Sequence, residues 1–190
     1  MTVTYADGGC VLLPEVLPDH QVLLQRLMDE VVWSTHMKAR QTASMGVPYN
    51  YGGASYPVAE WHPAVWALAL TLEERLGFRA TNCLLNLYRG GQNSMGWHAD
   101  DVSILQPGTG IGILSLGAER TLGLRSGGPE DFHYEDLPLP GGSLLLMSAE
   151  MQARWRHRVR RVAESGPRIS LSFRHIVRWP ETPPPVPPRG

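Results

Sequence analysis

The sequence has little of what marks secreted, membrane-spanning or strongly basic proteins. It holds only two cysteines, Cys10 and Cys83, which are too few and too far apart for a disulfide framework or a zinc ribbon and which suit a reducing compartment. It shows no basic stretch followed by an apolar signal core, and no run of about 18 apolar residues that could span a bilayer. The formal net charge is only -1. We therefore expect a soluble, cytoplasmic protein with no membrane partner, and a polyanionic partner would have to be recognised by a local charge cluster.

What the chain does have is a helical N-terminal part followed by a β-rich part. Apolar residues recur at three-and-four spacing over residues 17–33, where Asp19 is placed to cap the helix, and over residues 62–77, where Gly77 is a natural stop. Residues 39–57 are rich in Gly, Ser, Pro and Tyr and indicate a loop with short edge strands at most. After the second helix, short β-rich runs alternate with turn signals, and no further helix is expected.

This order of elements predicts the fold class and the domain organisation. It indicates an α+β, mainly β fold, a sandwich or jelly roll built behind a helical N-terminal layer. The chain has 190 residues, of which 43% are hydrophobic, so it fits one compact domain, which we place at residues 1–178. Residues 179–190 are proline-rich and are expected to form an extended tail.

A short motif in the β-rich part offers metal ligands. The stretch GWHADD contains His98 and Asp100 two positions apart, so both side chains point to the same face if the segment is extended. His157 lies in another predicted strand and would be the third ligand. Two histidines and one carboxylate form the non-haem iron(II) oxygenase arrangement, which leaves positions open for a co-substrate and oxygen. Hydrolytic zinc sites use the same ligand types, so the motif alone leaves both metals open.

The stretch RISLSFR, residues 168–174, predicts a strand with one polar and one apolar face. The polar face would carry Arg168, Ser170, Ser172 and Arg174. Two arginines flanking two hydroxyls would clamp a dicarboxylate well, because guanidinium binds carboxylate through paired charge-assisted hydrogen bonds. A solvated outer face of an antiparallel strand would show the same pattern, so this motif alone does not decide between the two.

The stretch RWRHRVRR, residues 154–161, places five arginines in eight positions around His157. Strand alternation would turn the histidine inward and the arginines outward, and the same alternation would turn Trp97 away from His98. Arginines along an exposed strand edge are a common device against aggregation. Alternatively, Arg158 and Arg160 follow a phosphate backbone beside the site, which would supply the local charge cluster that the net charge does not.

Taken in order, these motifs resemble the AlkB family of iron(II)- and 2-oxoglutarate-dependent dioxygenases. An Asn-x-Tyr pair, Asn86 and Tyr88, precedes the His-x-Asp motif, the distal histidine and the two arginines six positions apart. The resemblance covers roughly residues 45–176 and implies a double-stranded β-helix, a jelly roll with the N-terminal helices packed on one side. The family commonly has Asn and Thr in its last strand where this chain has Ser170 and Ser172.

The resemblance assigns roles to three sets of residues. It implies that Fe(II) is held by His98, Asp100 and His157. It implies that 2-oxoglutarate is bound by Asn86, Tyr88, Arg168, Ser170, Ser172 and Arg174. The substrate side would be formed by Tyr49, Tyr51 and Asp101, together with the two outward arginines, Arg158 and Arg160.

The resemblance also implies a reaction and a partner. Oxygen and 2-oxoglutarate would be consumed in the oxidative demethylation of N-alkylated bases in nucleic acid, the repair of alkylated DNA, with RNA as a second candidate. Such a base must be single-stranded or flipped out of the duplex to reach the metal. The alternatives are a 2-oxoglutarate-dependent hydroxylase of a substrate other than nucleic acid, and a catalytically silent nucleic-acid-binding module. A monomer is expected.

Overall fold

Eleven strands, three α-helices and one short 3-10 helix (Ala6–Gly8) form the part of the chain that the computed structural model describes, residues 2–50 and 56–178. The helices are α1 (His20–Glu30), α2 (Pro63–Leu76) and α3 (Met151–Arg154). The strands are β1 (Val3–Tyr5), β2 (Cys10–Leu13), β3 (Gln41–Gly46), β4 (Asn82–Tyr88), β5 (Met95–His98), β6 (Ile111–Gly117), β7 (Arg120–Ser126), β8 (His133–Leu139), β9 (Leu144–Met147), β10 (Trp155–Val159) and β11 (Arg168–Arg174).

The strands form two antiparallel sheets. The larger sheet has seven strands in the order β1-β2-β9-β6-β11-β4-β3, and the smaller one has four in the order β5-β10-β7-β8. Non-consecutive strands are neighbours in both sheets, as in a jelly roll. The predicted α+β, mainly β jelly roll is confirmed.

Two apolar clusters hold these layers together. One fills the space between the two sheets and includes Leu84 and Ile113 from the large sheet with Leu122 and Leu124 from the small one. The other joins the outer face of the large sheet to α1 and α2. The helices therefore cover one side of the large sheet, as predicted, and leave its other side facing the small sheet.

Helix α2 shows how local sequence sets this layer. Pro63 stands at its first turn, and the His62 imidazole accepts a hydrogen bond from the Ala64 N–H at 3.2 Å. At the other end Gly77 adopts φ 74, a left-handed conformation that costs glycine little, and its N–H donates to the Glu73 carbonyl. The predicted stop at Gly77 is confirmed.

Strand β11 divides its side chains between the two clusters. Ile169, Leu171 and Phe173 are fully buried against the helix layer. The polar side chains that alternate with them point into the space between the two sheets: Arg168, Ser170, Ser172 and Arg174. The strand lies between β6 and β4, so a solvated outer face is excluded for its polar residues.

Several local expectations were wrong or incomplete. Asp19 stands at the N-cap position of α1 but makes no capping hydrogen bond with its side chain, and the helix ends at Glu30 rather than at residue 33. A helical turn, α3, does occur after Gly77, just before β10. Strand β3 lies within the segment expected to be a loop with short edge strands at most, and it is such an edge strand, beside β4. It has little apolar periodicity, because its stability comes from the neighbouring strand.

Within the described residues, no helix has both the length and the apolar character needed to cross a membrane. The predicted tail, residues 179–190, lies outside the described residues.

Candidate metal and co-substrate site

Two strands of the small sheet bring the three predicted metal ligands together. His98 ends β5 and His157 lies in the middle of β10, and the two residues are register partners with ring centroids 4.0 Å apart. Asp100 follows two residues after β5 and lies 3.7 Å from His98, measured from Nε2 to Oδ1. One potential ligand atom from each of the three lies within 4.8 Å of the others. Such a spacing allows the three side chains to share one ion.

The histidines are in the protonation state that metal binding requires. Burial lowers the pKa of His98 below its usual value and, together with the neighbouring His98, lowers the pKa of His157 to about 3. Both imidazoles are therefore neutral near pH 7 and keep a lone pair. The Nδ1 of His98 lies 2.9 Å from the Gly96 carbonyl oxygen, so that Nδ1 carries the proton and Nε2 faces Asp100.

Asp100 is ionised and held from two directions. Burial alone would raise its pKa, but the charge of Arg174, with smaller contributions from the two histidines, lowers that pKa to about 2. The Arg174 Nη2 donates to Asp100 Oδ2 at 2.6 Å, and both side chains are almost fully buried. The Asp100 backbone N–H donates to Gln152 Oε1 at 3.0 Å. Gln152 comes from α3, so the unpredicted helical turn positions the predicted carboxylate.

A cavity extends from this cluster between the two sheets. All six residues predicted to bind 2-oxoglutarate line it: Asn86, Tyr88, Arg168, Ser170, Ser172 and Arg174. The register explains this, since Arg168 pairs with Tyr88 and Ser170 pairs with Asn86 across β11 and β4. The cavity wall therefore consists of alternate positions of two adjacent strands.

The two arginines of β11 differ in how their charges are compensated. Arg174 is bound to Asp100, as described above. Arg168 is fully buried, lies over the Tyr88 ring at 5.3 Å and donates through Nη2 to Ser115 Oγ at 3.0 Å. Its Nε and Nη1 make no hydrogen bond with the described residues. A buried guanidinium with two spare donors fits an anionic ligand, because an unpaired buried charge is costly.

Arg40 is a cavity residue that sequence reasoning missed. It precedes β3, is buried, and donates through Nε to Asn86 Oδ1 at 2.6 Å. Its Nη2 has no acceptor among the described residues. The surrounding letters MKARQT carry no motif or periodicity, so only the pairing of β3 with β4 reveals the contact.

The residues predicted for the substrate side do not all gather at the cavity. Tyr49 lines it and is stacked on Arg174, whose guanidinium lies 4.2 Å from the ring centroid, and burial raises the pKa of Tyr49 to about 12. Asp101 is exposed and is not among the residues that line the cavity, and its carboxylate accepts hydrogen bonds from the Ser103 N–H and Oγ at 2.9 and 2.6 Å. Tyr51 lies outside the described residues.

The two outward arginines, Arg158 in β10 and Arg160 directly after it, are on the opposite side of the small sheet from His157. Arg160 donates to Asp136 Oδ2 at 2.7 Å, so its charge is compensated. Arg158 instead lies over the Trp97 ring, 4.3 Å from its centroid. Trp97 faces away from the metal cluster, as the alternation of β5 predicted.

Comparison with known proteins adds an independent finding. The family model described as the 2OG-Fe(II) oxygenase superfamily matches residues 11–174. The chain belongs to this superfamily. Membership implies Fe(II), 2-oxoglutarate and oxygen, and the neutral imidazoles, the ionised carboxylate and the cavity with a buried, partly unpaired arginine fit these groups.

Several relatives carry AlkB names, which confirms the resemblance to that family. Human alpha-ketoglutarate-dependent dioxygenase alkB homolog 3 is 34% identical over 177 residues, covering 83% of this chain and 62% of the relative. Human DNA oxidative demethylase ALKBH2 is 29% identical over 158 residues, covering 78% of this chain and 60% of the relative. The chain thus spans somewhat under two thirds of the length of these relatives.

A solved structure of OsALKBH1 has the same fold. It superposes with a TM-score of 0.62 and 17% sequence identity, covering 88% of this chain and 96% of that chain. The likeness supports the jelly roll and, at this identity, nothing about the substrate.

Proposed function

We propose that this chain is an Fe(II)- and 2-oxoglutarate-dependent dioxygenase that oxidatively demethylates N-alkylated bases in DNA. The observation that carries the proposal is a cluster of the half-buried His98 with the buried Asp100 and His157, which opens into the same cavity as Arg168. This cavity brings a three-ligand metal site and a cationic anchor for a dicarboxylate within one enclosed space. Neither group alone would indicate the reaction.

The chain's own residues bind and orient the reactants. His98, Asp100 and His157 would hold the metal through two imidazole nitrogens and one carboxylate oxygen. Arg168 takes the far carboxylate of 2-oxoglutarate through the donors that it does not use on Ser115. Bound Fe(II), with 2-oxoglutarate and oxygen, supplies the chemistry that hydroxylates an N-alkyl carbon, which then leaves as an aldehyde.

Other residues keep this arrangement fixed. Arg174 positions the Asp100 carboxylate through the 2.6 Å ion pair, and Arg40 positions the Asn86 amide through the 2.6 Å hydrogen bond. All four side chains are buried, so bulk water does not compete for these contacts. Arg174 is thus a positioning residue in this proposal.

The substrate assignment rests on different support. The relatives named above include a DNA oxidative demethylase, and the outer face of the small sheet, opposite the metal cluster, presents arginines that form no ion pair with the described residues. A base must leave the base stack of the DNA to reach a cavity between two β-sheets, so the rest of the DNA strand would remain outside the protein. Alkylated DNA fits both observations.

A single-turnover assay tests the proposal. The protein is loaded anaerobically with Fe(II) and 2-oxoglutarate, mixed with an oligonucleotide containing 1-methyladenine or 3-methylcytosine, and exposed to oxygen. We expect formaldehyde, succinate and restored base in equal amounts. Asp100→Ala and His157→Ala should abolish all three products, whereas His36→Ala, at an exposed histidine away from the cavity, should abolish none.

Three other results would contradict the proposal at different points. Succinate that forms without repair of any methylated oligonucleotide would retain the dioxygenase and reject DNA as the substrate. Nucleic-acid binding without any iron-dependent succinate would indicate the silent binding module. Full repair in Asp100→Ala would reject the assigned metal site.

A further inference from the structure

The outer face of the small sheet carries a stack of alternating arginines and aromatic rings. The Arg158 guanidinium lies 4.3 Å from the Trp97 ring centroid, and that of Arg125 lies 4.6 Å from Trp97 and 4.5 Å from Phe132. Tyr134 completes the group, with ring centroids 6.2 Å from Trp97 and 5.9 Å from Phe132. We call these five residues the arginine-aromatic ladder. It was not predicted as a unit, because its members come from four strands and a loop.

Strand register explains why the ladder shares one face. Arg125 pairs with Tyr134 on β8 and with Arg156 on β10, and Arg158 pairs with Gly123 on β7. Directly paired residues point to the same side of a sheet, whereas His157, between the two β10 arginines, points to the other. The Arg158 stem packs over Gly123, where an added Cβ would lie 3.4 Å from Arg158 Cγ, an ordinary van der Waals contact.

The two ladder arginines form no ion pair with the described residues. Neither Arg125 nor Arg158 donates a hydrogen bond to these residues either, and the Nε of each is buried without a partner. The acidic residue that β8 contributes to this face, Asp136, is bound to Arg160. Two guanidinium groups therefore retain their charge and their in-plane donors, because stacking uses only the faces of the guanidinium planes.

The ladder is continuous with the metal cavity. Trp97 directly precedes His98 in β5, which is an edge strand of the small sheet. An open groove runs along this edge, lined by residues 37–40 on one side and residues 95–98 on the other. Arg40, Met95 and His98 line both this groove and the cavity. A polymer lying on the ladder could thus present one unit to the cavity through the groove.

We propose that the arginine-aromatic ladder is a docking surface for single-stranded DNA, which holds the strand while one base enters the cavity. The proposal rests on the proposed function for its choice of DNA. Arg125 and Arg158 would contact phosphates, since arginine binds them bidentately. Tyr134, which is 56% exposed, would stack on an unpaired base. Duplex DNA keeps its bases inside the helix and cannot use an aromatic platform in this way.

Binding of unmodified DNA in the absence of oxygen tests this surface independently of the reaction. The full chain is loaded anaerobically with Fe(II) and 2-oxoglutarate and titrated into fluorescein-labelled oligothymidylate, and affinity is read by anisotropy across a salt series. Tyr134→Ala should weaken binding about 5- to 100-fold, the range for the loss of one base-aromatic stack. Arg158→Gln should reduce the magnitude of the log-log salt slope by about 0.7, the value for one lost phosphate contact on a single strand.

Matched variants separate the surface from general effects. Trp66→Ala removes a partly exposed aromatic residue from α2, which packs on the opposite side of the large sheet, and Arg79→Gln removes an exposed arginine beside that helix. Both should bind like the unchanged protein. Tyr134→Phe, which keeps the ring, and Arg158→Lys, which keeps the charge, should retain the affinity and the slope, respectively. These two variants keep the test decisive where an alanine or glutamine variant folds poorly.

The outcomes are distinguishable from those of the demethylase assay. Ladder variants with unchanged affinity and salt slope would overturn the docking surface even where repair occurs. Duplex DNA that binds as tightly as the single strand, with the same loss in Tyr134→Ala, would also overturn it. Normal ladder-dependent binding combined with no repair of any methylated strand would retain the surface and reject the proposed function.

Discussion

Replacing Arg174 with methionine should expose how strongly the metal-binding carboxylate depends on its arginine. In the unchanged protein, Arg174 Nη2 lies 2.6 Å from Asp100 Oδ2, and the two side chains are only 3% and 5% exposed. Methionine retains much of the apolar stem but removes the guanidinium. Asp100 is then a buried anion without its closest counter-charge, and such losses cost about 3–5 kcal/mol in the free energy of unfolding.

The pH dependence identifies the cause. With Arg174 present, the pKa of Asp100 is lowered from 3.8 to about 2, so the pair stabilises the fold above the unfolded value and loses this contribution as the pH falls toward 2. Without Arg174, burial dominates and raises the pKa of the folded carboxyl above its unfolded value. The variant then gains stability by taking up a proton as the pH falls. The deficit relative to the unchanged protein should therefore be largest near neutral pH and shrink on acidification.

Urea unfolding of the metal-free protein, in the presence of a chelator, measures the free energy of unfolding of both proteins at several pH values. The double variant with Asp100→Asn and Arg174→Met should lose less than the sum of the two single losses, because no uncompensated charge remains. An Arg174→Met variant within about 1 kcal/mol of the unchanged protein at pH 7 would refute the reasoning, since exposed pairs contribute no more than this. So would a deficit that does not change with pH.

Three further predictions concern the co-substrate anchor, the thiols and one turn. Arg168→Gln should raise the KM for 2-oxoglutarate about 10- to 100-fold, the range for a lost hydrogen bond to a charged group, and an unchanged KM would remove this residue from the anchor. Burial raises the pKa of Cys10 to about 12 and that of Cys83 further, so a thiol reagent at pH 8 should label neither in the folded protein and both after denaturation. Gly117→Ala should lower the free energy of unfolding by more than Gly108→Ala, since both glycines have positive φ but only a Cβ at Gly117 would overlap neighbouring atoms; thermal unfolding that ranks them the other way would contradict this.

The parts of the fold that could be predicted are those whose sequence pattern reflects their own burial. Strands such as β6 and β11 are buried along their whole length and appear in the sequence as apolar or alternating runs between turns. Strand β8, with sequence HYEDLPL, has mostly exposed or half-buried residues and buries only Leu137 and Leu139. It is an edge strand that forms because β7 is beside it, and such dependence leaves little trace in its own letters.

The same distinction applies to the candidate site. The predicted metal and co-substrate residues lie in strands whose spacing already indicated a common face, and the structure brings all of them to one cavity. Arg40 and Gln152 were missed because each contacts its partner from a segment without periodicity, 46 residues from Asn86 in one case and 52 residues from Asp100 in the other. Side chains that position other side chains are specified by tertiary contacts, which one sequence does not display.

The arginine-rich stretch around His157 shows how a charge pattern must be combined with its three-dimensional surroundings. Alternation correctly separates the histidine from its arginine neighbours, and the low pKa of His157 is caused first by burial, with only a small contribution from Arg156. Alternation cannot show that Asp136 neutralises Arg160 while Arg158 stacks on Trp97 and stays unpaired. Arg125 lies on the same face of the neighbouring strand β7, where it pairs with Arg156, although no charge cluster surrounds Arg125 in the sequence. The positive outer face of the small sheet therefore includes Arg125, Arg156 and Arg158 from two strands. Within the described residues, its charge follows from which arginines lack an ion pair with a carboxylate rather than from how many are adjacent in the chain.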